Sequence, residues 1–430
     1  MSVSTRTTYE RLENGLDTYI LPTHTTDVVL ARVVLRGGAH AVYDHPMRAA
    51  LFGACMPSGM KGVPRRTLRD TFAAHGARVS VHVEAEHMVL TVAARKAAFD
   101  EAFRLAVGMF VAPSLAARDH AEALATLATD IENSKEDTGA QAAATLNRTF
   151  YTQGHPLWTM SPEEREKDLA TSSLTHVRAF HKDTLSAVGG FVCLAGDVHP
   201  KKHAILLREV LSMIPGTAPN KYPISHPGNT ASDYERNTIL SMKDRMNIDL
   251  LLGIPLAITT EHDDYYALAL GVHILGGSAT SRLFHSLRTK KSLTYGAYAR
   301  LAGMTDVHAG FMKATTVVPN DLFSAAHSAL TSEVKTWAEK GVTAKEVAAH
   351  KEELIGRTQV GLASTSGLLG ALSGTIQSKK PVSHIDEYPT ILTALSPATV
   401  NRAIKSHVDV RNAATVAAGA VDAHGKPLAS

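Results

Sequence analysis

Apolar and polar residues alternate along the chain with two different periods, and these periods predict its strands and helices. Segments 28–38 and 247–257 are rich in aliphatic and β-branched residues, as buried strands are. Residues 1–21 predict a strand pair around a turn at 13–15, and 78–94 alternates like a half-buried hairpin. Helical spacing follows at 97–113 and stops at a proline.

Two later helices carry clear start signals. Thr343 and Glu346 form a capping-box pattern at the start of the helix predicted over 342–362. Ser396 as N-cap and Pro397 at the first helical position start the helix predicted over 395–407. Helices that alternate with hairpin-type strands predict α+β domains, each with an antiparallel sheet covered by helices.

The two halves of the chain repeat one another weakly at a constant offset of 223 residues. Segment 175–198 aligns with 398–421, and 50–58 aligns with 273–281 at the same offset. Between them, 215–234 is rich in Pro, Gly, Ser, Thr and Asn and has no apolar periodicity, which is typical of a linker. We therefore predict homologous domains at 1–214 and 235–430.

Composition excludes several classes of protein. The net charge is +3 and no basic run occurs, which argues against a dedicated nucleic-acid binder. No window has the roughly 18 to 20 apolar residues that a membrane span needs. No secretory signal is seen, so we expect a cytoplasmic protein, or a periplasmic one if the chain is a mature form. Cys55 and Cys193 lie in apolar contexts and are expected to be reduced core residues.

In one predicted helix, within "MRAALFGACMPSGM" at 47–60, the residues 49–54 carry no acid, no base and no metal ligand. Its surroundings resemble the pitrilysin or insulinase-type zinc metallopeptidases, in particular the small two-domain branch that includes mitochondrial processing peptidase. The resemblance is carried by "NGLDTYILP", "GARVSVHVEAEHMVLTV", "GHPLW", "LAGDV" and, most specifically, "ILGGSATSRLFHSLRTKKSLTYGAYA" at 274–299. It implies two homologous α+β halves that form one half of a clamshell.

The resemblance also implies what the bare helix lacks. Active members place H-x-x-E-H there, with two zinc-binding imidazoles on one helical face and a Glu that acts on the zinc-bound water. In this chain the two His positions are Ala50 and Ala54, the Glu position is Gly53, and the later carboxylate falls near Asp130. We therefore expect no metal and no cofactor in this chain, and zinc in a catalytic partner with an intact H-x-x-E-H.

Other parts of the family's machinery are predicted to remain. Arg288 and Tyr295 match an Arg and a Tyr that reach the substrate, where a fixed cation and a phenol donor suit a developing oxyanion. Ser80, Val81 and His82 match an edge strand against which an extended peptide can pair. Arg282 is predicted to be an internal brace.

Three polar clusters are predicted to be solvated surfaces rather than sites. They are the strand segment 82–87, the arginine cluster at 65–69, and the helical face of Glu346, His350 and Glu353. A metal site around His82 to His87 is a conceivable alternative, because alternate residues share one face of a strand.

Together these features predict a non-catalytic subunit of a heterodimeric zinc metallopeptidase, with peptides as substrates. It would complete the substrate chamber and contribute Arg288 and Tyr295 to the active site of its partner. One alternative is a structural or assembly subunit, like the respiratory core proteins, with no role in proteolysis. The other is an enzyme with a site relocated to 82–87.

Overall fold

The computed structural model describes residues 2–23, 26–155, 157–219 and 233–428. Most of the predicted linker at 215–234 therefore lies outside the described residues. Its first residues are held at Pro215, whose carbonyl accepts a hydrogen bond from the Ala187 amide at 2.8 Å. Its last residue, Tyr234, donates from its hydroxyl to the Asn412 carbonyl at 2.8 Å.

The described residues form fifteen α-helices and eleven strands, joined by short 3₁₀ turns and one π-helix at Phe284–Lys290. The helices are α1 (Val3–Arg6), α2 (Pro46–Cys55), α3 (Arg65–Ala74), α4 (Lys96–Val111), α5 (Ala117–Glu136), α6 (Thr138–Phe150), α7 (Pro162–Thr171), α8 (Leu174–Thr184), α9 (Pro200–Leu211), α10 (Tyr265–Gly276), α11 (Phe323–Lys340), α12 (Ala344–Leu362), α13 (Thr365–Gln377), α14 (Ser383–Ala394) and α15 (Pro397–His407). The strands are β1 (Thr8–Arg11), β2 (Asp17–Pro22), β3 (Val28–Arg36), β4 (Arg78–Val83), β5 (His87–Arg95), β6 (Phe191–Gly196), β7 (Asn237–Ser241), β8 (Asn247–Pro255), β9 (Ala297–Ala302), β10 (Phe311–Pro319) and β11 (Ala414–Gly419).

The strands form two sheets, in the orders β1-β2-β6-β3-β5-β4 and β7-β11-β8-β10-β9. The predicted hairpins β1–β2 and β4–β5 are present, and both are antiparallel. Each sheet is antiparallel except for one parallel pair, β2–β6 in the first and β7–β11 in the second. The two strands of each parallel pair lie far apart in the chain, so no local sequence pattern predicted these pairings. The predicted α+β class, with helices covering each sheet, is confirmed.

The sequence repeat has a direct structural counterpart. Helix α8 and strand β6 correspond to α15 and β11, and every boundary of one pair differs from that of the other by 223 residues. The predicted start signals are also formed: the Ser396 hydroxyl accepts from the Thr399 amide, and Thr343 and Glu346 make reciprocal capping bonds. Both cysteines are free and buried, and burial raises the pKa of Cys55 to about 11.

The two compact units of the fold are not continuous in sequence. The first comprises 1–130, 165–225 and 357–388, and the second comprises 131–164, 226–356 and 389–430. Helix α6 packs on β8 and β11 of the second sheet, and α13 packs on β3 and β6 of the first. The predicted division at 1–214 and 235–430 follows the sequence repeat, and the compact units differ from it because these two helices are exchanged.

Candidate functional site

The N-terminus of α2 is fixed by a buried carboxylate that sequence reasoning missed. Asp168 accepts from the Met47 amide at 2.9 Å through one oxygen, and its other oxygen lies 2.8 Å from Nδ1 of His45. The Asp168 side chain is only 4% exposed. His45 thus belongs to the start of the helix rather than to a metal site. Asp168 lies 121 residues from Met47, so no local signal reveals the pairing.

The two faces of α2 have different environments. Met47, Ala49, Leu51, Phe52 and Cys55 are buried in the core of the first unit. Ala50 and Gly53 are partly exposed, and Ala54 is exposed. The positions that would carry ligands therefore share the open face of the helix, as their spacing predicted. On that face they offer two methyl groups and a hydrogen, none of which binds a metal ion.

Gly53 lies beside the edge strand of the first sheet. A methyl group built on Gly53 would come within 3.3 Å of Cγ2 of Val83, the last residue of β4. Gly276 is the repeat counterpart of Gly53, and a methyl there would lie 2.1 Å from the backbone nitrogen of Ala299 in β9. The glycine is thus required in the second unit by the close approach of a strand. In the first unit, a methyl group needs only a small shift of Val83.

Asp130, the predicted later carboxylate, lies on α5 and is exposed to solvent. Among the described residues, no group of three metal-ligating side chains forms around Ala50, Asp130 or the segment 82–87. In that segment Glu84 and His87 both contact Gln377 of α13, at 3.2 and 3.3 Å.

Strand β4 is the last described strand of its sheet, on the side away from β5. The hairpin closes with a hydrogen bond from the Glu84 amide to the His87 carbonyl at 2.7 Å. Alternation along an antiparallel pair then directs the backbone groups of Val79, Val81 and Val83 away from β5. Of the three predicted strand residues, Val81 is the one whose amide and carbonyl face outward, whereas Ser80 and His82 pair with Thr91 and Val89. Its peptide-binding role stays a prediction.

Arg288 lies in the π-helix and Tyr295 in the loop that follows it, and a hydrogen bond joins the two residues. Nη1 of Arg288 donates to the backbone carbonyl of Tyr295 at 2.8 Å, and its guanidinium carbon lies 4.9 Å from the centre of the Phe284 ring. Thr294 is tied to the neighbouring strand by a 2.6 Å hydrogen bond to the Val317 carbonyl. The Tyr295 residue is 91% exposed. Arg288 thus fixes the backbone that presents a solvent-facing phenol.

Arg282 is a brace, as predicted. Its guanidinium donates two hydrogen bonds to the Glu346 carboxylate, at 2.6 and 2.8 Å. Burial raises the pKa of Glu346, but the bonds from Arg282 and Thr343 outweigh that effect and lower it to about 2. This pair connects the segment before the π-helix to the first turn of α12.

The prediction that this face of α12 is exposed to solvent is wrong at His350. This residue is buried, because α10 packs its own His273 against the same face, and the two imidazole rings lie 5.3 Å apart edge to face. The partner of His350 comes from a helix elsewhere in the chain, so the pattern along α12 alone suggested a solvated helix.

Comparisons with known proteins show what this chain is similar to. Residues 172–354 match the model of the peptidase M16 inactive domain. The fold of the chain is similar to the crystal structure of a peptidase M16 inactive domain from Pseudomonas fluorescens, at 21% identity and a TM-score of 0.86, covering 98% of this chain and 100% of that one. A protease from Helicobacter pylori gives 15% identity and a TM-score of 0.85, with 96% and 99% of the two chains covered.

A longer relative shows the same fold as part of a larger protein. The periplasmic protease PqqL from Escherichia coli matches 97% of this chain with 46% of its own length, at 14% identity and a TM-score of 0.81. No curated protein matches the chain in sequence. No helix among the described residues is long and apolar enough to cross a membrane.

Residues 172–354 thus match the peptidase M16 inactive domain, and the whole chain has the fold of the M16-type peptidases to which it is similar. These findings confirm the resemblance to the pitrilysin or insulinase-type peptidases and to their inactive members. Membership of the branch that includes mitochondrial processing peptidase stays a prediction.

Proposed function

We propose that the chain is the non-catalytic subunit of a heterodimeric zinc metallopeptidase. It completes the substrate chamber, as one half of a clamshell, and contributes Arg288 and Tyr295 to the active site of its partner. The partner carries the intact H-x-x-E-H and its zinc, and the substrates are peptides. The inactive domain at 172–354 supports the non-catalytic part of this proposal.

The observation that carries the proposal is the exposed phenol of Tyr295 on a fixed loop. A large aromatic side chain that is 91% exposed gains little for the stability of its own chain. The loop beneath it is held by the side chains of Arg288 and Thr294, so the backbone that carries the exposed phenol has a fixed position. Preorganised donors of this kind stabilise charge that develops in a transition state.

The helix α2 and the strand β4 of the first unit also support the proposal. Helix α2 keeps its place beside the edge strand β4, while its open face carries Ala50, Gly53 and Ala54 in place of ligands. Strand β4 still presents outward backbone groups, with which an extended peptide can pair. The edge strand that would bind a peptide is therefore kept, whereas the zinc ligands that would be needed to cleave it are absent.

In PqqL this fold is part of a longer polypeptide. This fold accounts for 46% of that protease, which leaves a remainder of similar size within the same polypeptide. We propose that the chain works together with a second peptidase body, which the catalytic partner supplies.

We predict that the chain forms a one-to-one heterodimer with an H-x-x-E-H protein encoded beside its own gene. Stable interfaces of this kind bury on the order of 1,200–2,000 Å² or more, so the complex should survive gel filtration. The two chains are co-expressed, and their mass is measured by light scattering. Cleavage of a quenched fluorescent peptide is then compared for the partner alone and for the complex.

Peptide cleavage that requires both chains would agree with the proposal. If this chain stays monomeric beside its partner, the heterodimer proposal fails. If the complex forms but the partner alone cleaves equally well, the structural or assembly alternative is favoured instead.

Restoring the lost motif is expected to give little activity. The variant Ala50→His/Gly53→Glu/Ala54→His recreates the motif, but Asp130 is one methylene shorter than Glu, and the new side chain at position 53 has to displace Val83. A misplacement of about 1 Å can cost about a hundredfold in rate, so turnover should lie at least that far below an intact site. Chelator-sensitive peptide cleavage is the measurement, with Gly53→Ala as the control for packing. Robust turnover would show that the rest of the site had been kept.

A further inference from the structure

The second unit contains a cluster of three metal-ligating side chains that the proposed function does not use. His273 on α10, His350 on α12 and Glu353 on α12 place one ligand atom each within 4.8 Å of one another. Their side chains are 11%, 5% and 31% exposed, so the two imidazoles are well shielded from solvent. Two imidazoles and a carboxylate are a ligand set typical of zinc.

Each imidazole places one nitrogen close to an oxygen of the Glu353 carboxylate. Nε2 of His273 lies 3.6 Å from one oxygen of Glu353, and Nδ1 of His350 lies 3.1 Å from the other. Ligands at about 2.0–2.1 Å from a tetrahedral zinc are roughly 3.3 Å apart. Nδ1 of His350 is buried and forms no hydrogen bond among the described residues. The Glu353 oxygen beside this nitrogen does not form a hydrogen bond with it, so the nitrogen is available as a ligand.

Neighbouring groups hold these side chains in place. The hydroxyls of Ser278 and Thr280 donate to one oxygen of Glu353, at 3.0 and 3.3 Å, as second partners of ligating carboxylates do. The ring of His273 lies over Gly277, where a methyl group would come within 1.9 Å of its Nδ1. The absence of a side chain at Gly277 gives this imidazole its position.

We propose that His273, His350 and Glu353 form a binding site for one divalent transition-metal ion, with zinc as the preferred ion. Three protein ligands leave a fourth position of a tetrahedral site for water or another ligand. His273 also lines a cavity of about 570 Å³, which borders the edge strand β9. The cavity gives solvent access to this side of the cluster.

The internal repeat independently marks the same place in the fold. At the offset of 223 residues, His273 corresponds to Ala50 and Glu353 corresponds to Asp130. The second unit thus carries an imidazole and a carboxylate where the first unit carries a methyl group and an exposed Asp. This revises, for the second unit, the expectation from the sequence that the chain holds no metal.

A second cluster serves as an internal control. His262, Asp264 and His407 also lie close together, but Asp264 already accepts from Arg402 at 3.1 Å and from His407 at 3.0 Å. Since a guanidinium occupies that carboxylate, a cation is disfavoured there. Removal of His407 takes away a histidine from the same unit without touching the proposed site.

The test is zinc binding by the purified full chain, after removal of metal with a chelator and then of the chelator itself. Isothermal titration with Zn²⁺ alone should show one equivalent bound, and Co²⁺ should give the visible absorption of a four-coordinate site. His350→Ala and Glu353→Gln should each weaken zinc binding by more than about a hundredfold, since even outer partners of metal ligands cost about 10–100-fold. His407→Ala should bind as the wild type does.

Two results would overturn the proposal. One is a wild-type chain that binds no more zinc than the Glu353→Gln variant. The other is binding that survives the changes at His350 and Glu353 but is lost in His407→Ala. Circular dichroism of each variant shows whether it is folded. If His350→Ala does not fold, Glu353→Gln still tests the site, because Gln has nearly the same shape as Glu. Neither result depends on a peptidase partner, so failure here is distinct from failure of the proposed function.

Discussion

Replacement of Tyr295 by Phe is expected to lower the turnover of the assembled peptidase complex by about a hundredfold, with the complex itself intact. The change removes only the phenol oxygen from a ring that is 91% exposed, so the stability of the chain should not change. Loss of one preorganised donor to a developing oxyanion typically costs this much in turnover. The measurement is steady-state cleavage of a peptide by complexes whose one-to-one stoichiometry has been confirmed.

Arg288 is expected to act through the same loop. Because its guanidinium donates to the Tyr295 carbonyl, it is a positioning residue for the phenol in the structure of this chain. Arg288→Ala should therefore lower turnover and also raise the Michaelis constant, as the loop loses its fixed conformation. Arg288→Lys keeps the charge but not the forked donor, and should recover only part of the loss.

Tyr298→Phe provides the matched control. Tyr298 is a second exposed tyrosine of the same unit, on β9, and its ring packs beside Gly296. The Tyr298→Phe variant should leave the kinetic constants of the complex unchanged. If Tyr295→Phe also leaves them unchanged in a correctly assembled complex, this chain has no part in the chemistry and the scaffold alternative gains. If it prevents assembly, Tyr295 is an interface residue.

Local patterns predicted the elements and caps of this fold well. Alternation gave the β4–β5 hairpin, and the repeat aligned α8 and β6 with α15 and β11 to the residue. A capping box or a hairpin is encoded within a few positions, so one sequence is enough to read it. The exchange of α6 and α13 between the units has no such local signal. It depends on which of two similar apolar sheets each helix covers.

The same limit applies to the candidate sites. The loss of ligands at Ala50, Gly53 and Ala54 can be read from spacing within one helix. The roles of Asp168 at the start of α2 and of His273 beside His350 depend on contacts across 121 and 77 positions. The chain has 22 histidines spread along its sequence, and only the folded structure shows which of them lie close together. The repeat is the sequence signal for His273 and Glu353, because the alignment of 50–58 with 273–281 places His273 at the position of Ala50 and the same offset places Glu353 at that of Asp130.

The Arg282–Glu346 pair gives the second large effect, on stability. Removal of one partner from a buried ion pair costs about 3–5 kcal/mol, because the remaining charge keeps its desolvation cost. The two side chains are 19% and 26% exposed, so we expect Arg282→Met to lower the free energy of unfolding of the second unit by about 3 kcal/mol. Both tryptophans, Trp158 and Trp337, lie in that unit, so urea unfolding followed by tryptophan fluorescence reports on it alone.

The contribution of Glu346 should also depend on pH in a defined direction. Its folded pKa of about 2 lies below the ordinary glutamate value of 4.5, so the carboxylate stabilises the fold fully above pH 4.5. That stability is lost as the pH falls from 4.5 toward 2. The difference in unfolding free energy between wild type and Glu346→Gln should therefore be largest near about pH 6 and shrink toward about pH 3.

Glu339→Gln is the matched control, because Glu339 pairs with Lys335 on the exposed surface of α11 in the same unit. Exposed pairs contribute about 0–1 kcal/mol, so this variant should differ little from wild type at either pH. A loss of unfolding free energy in Glu346→Gln that is no larger than in Glu339→Gln, or that does not change with pH, would contradict the role of this pair as a brace.

Arg282→Met should in addition weaken zinc binding at His350 and Glu353, since the pair fixes the first turn of the helix that carries both.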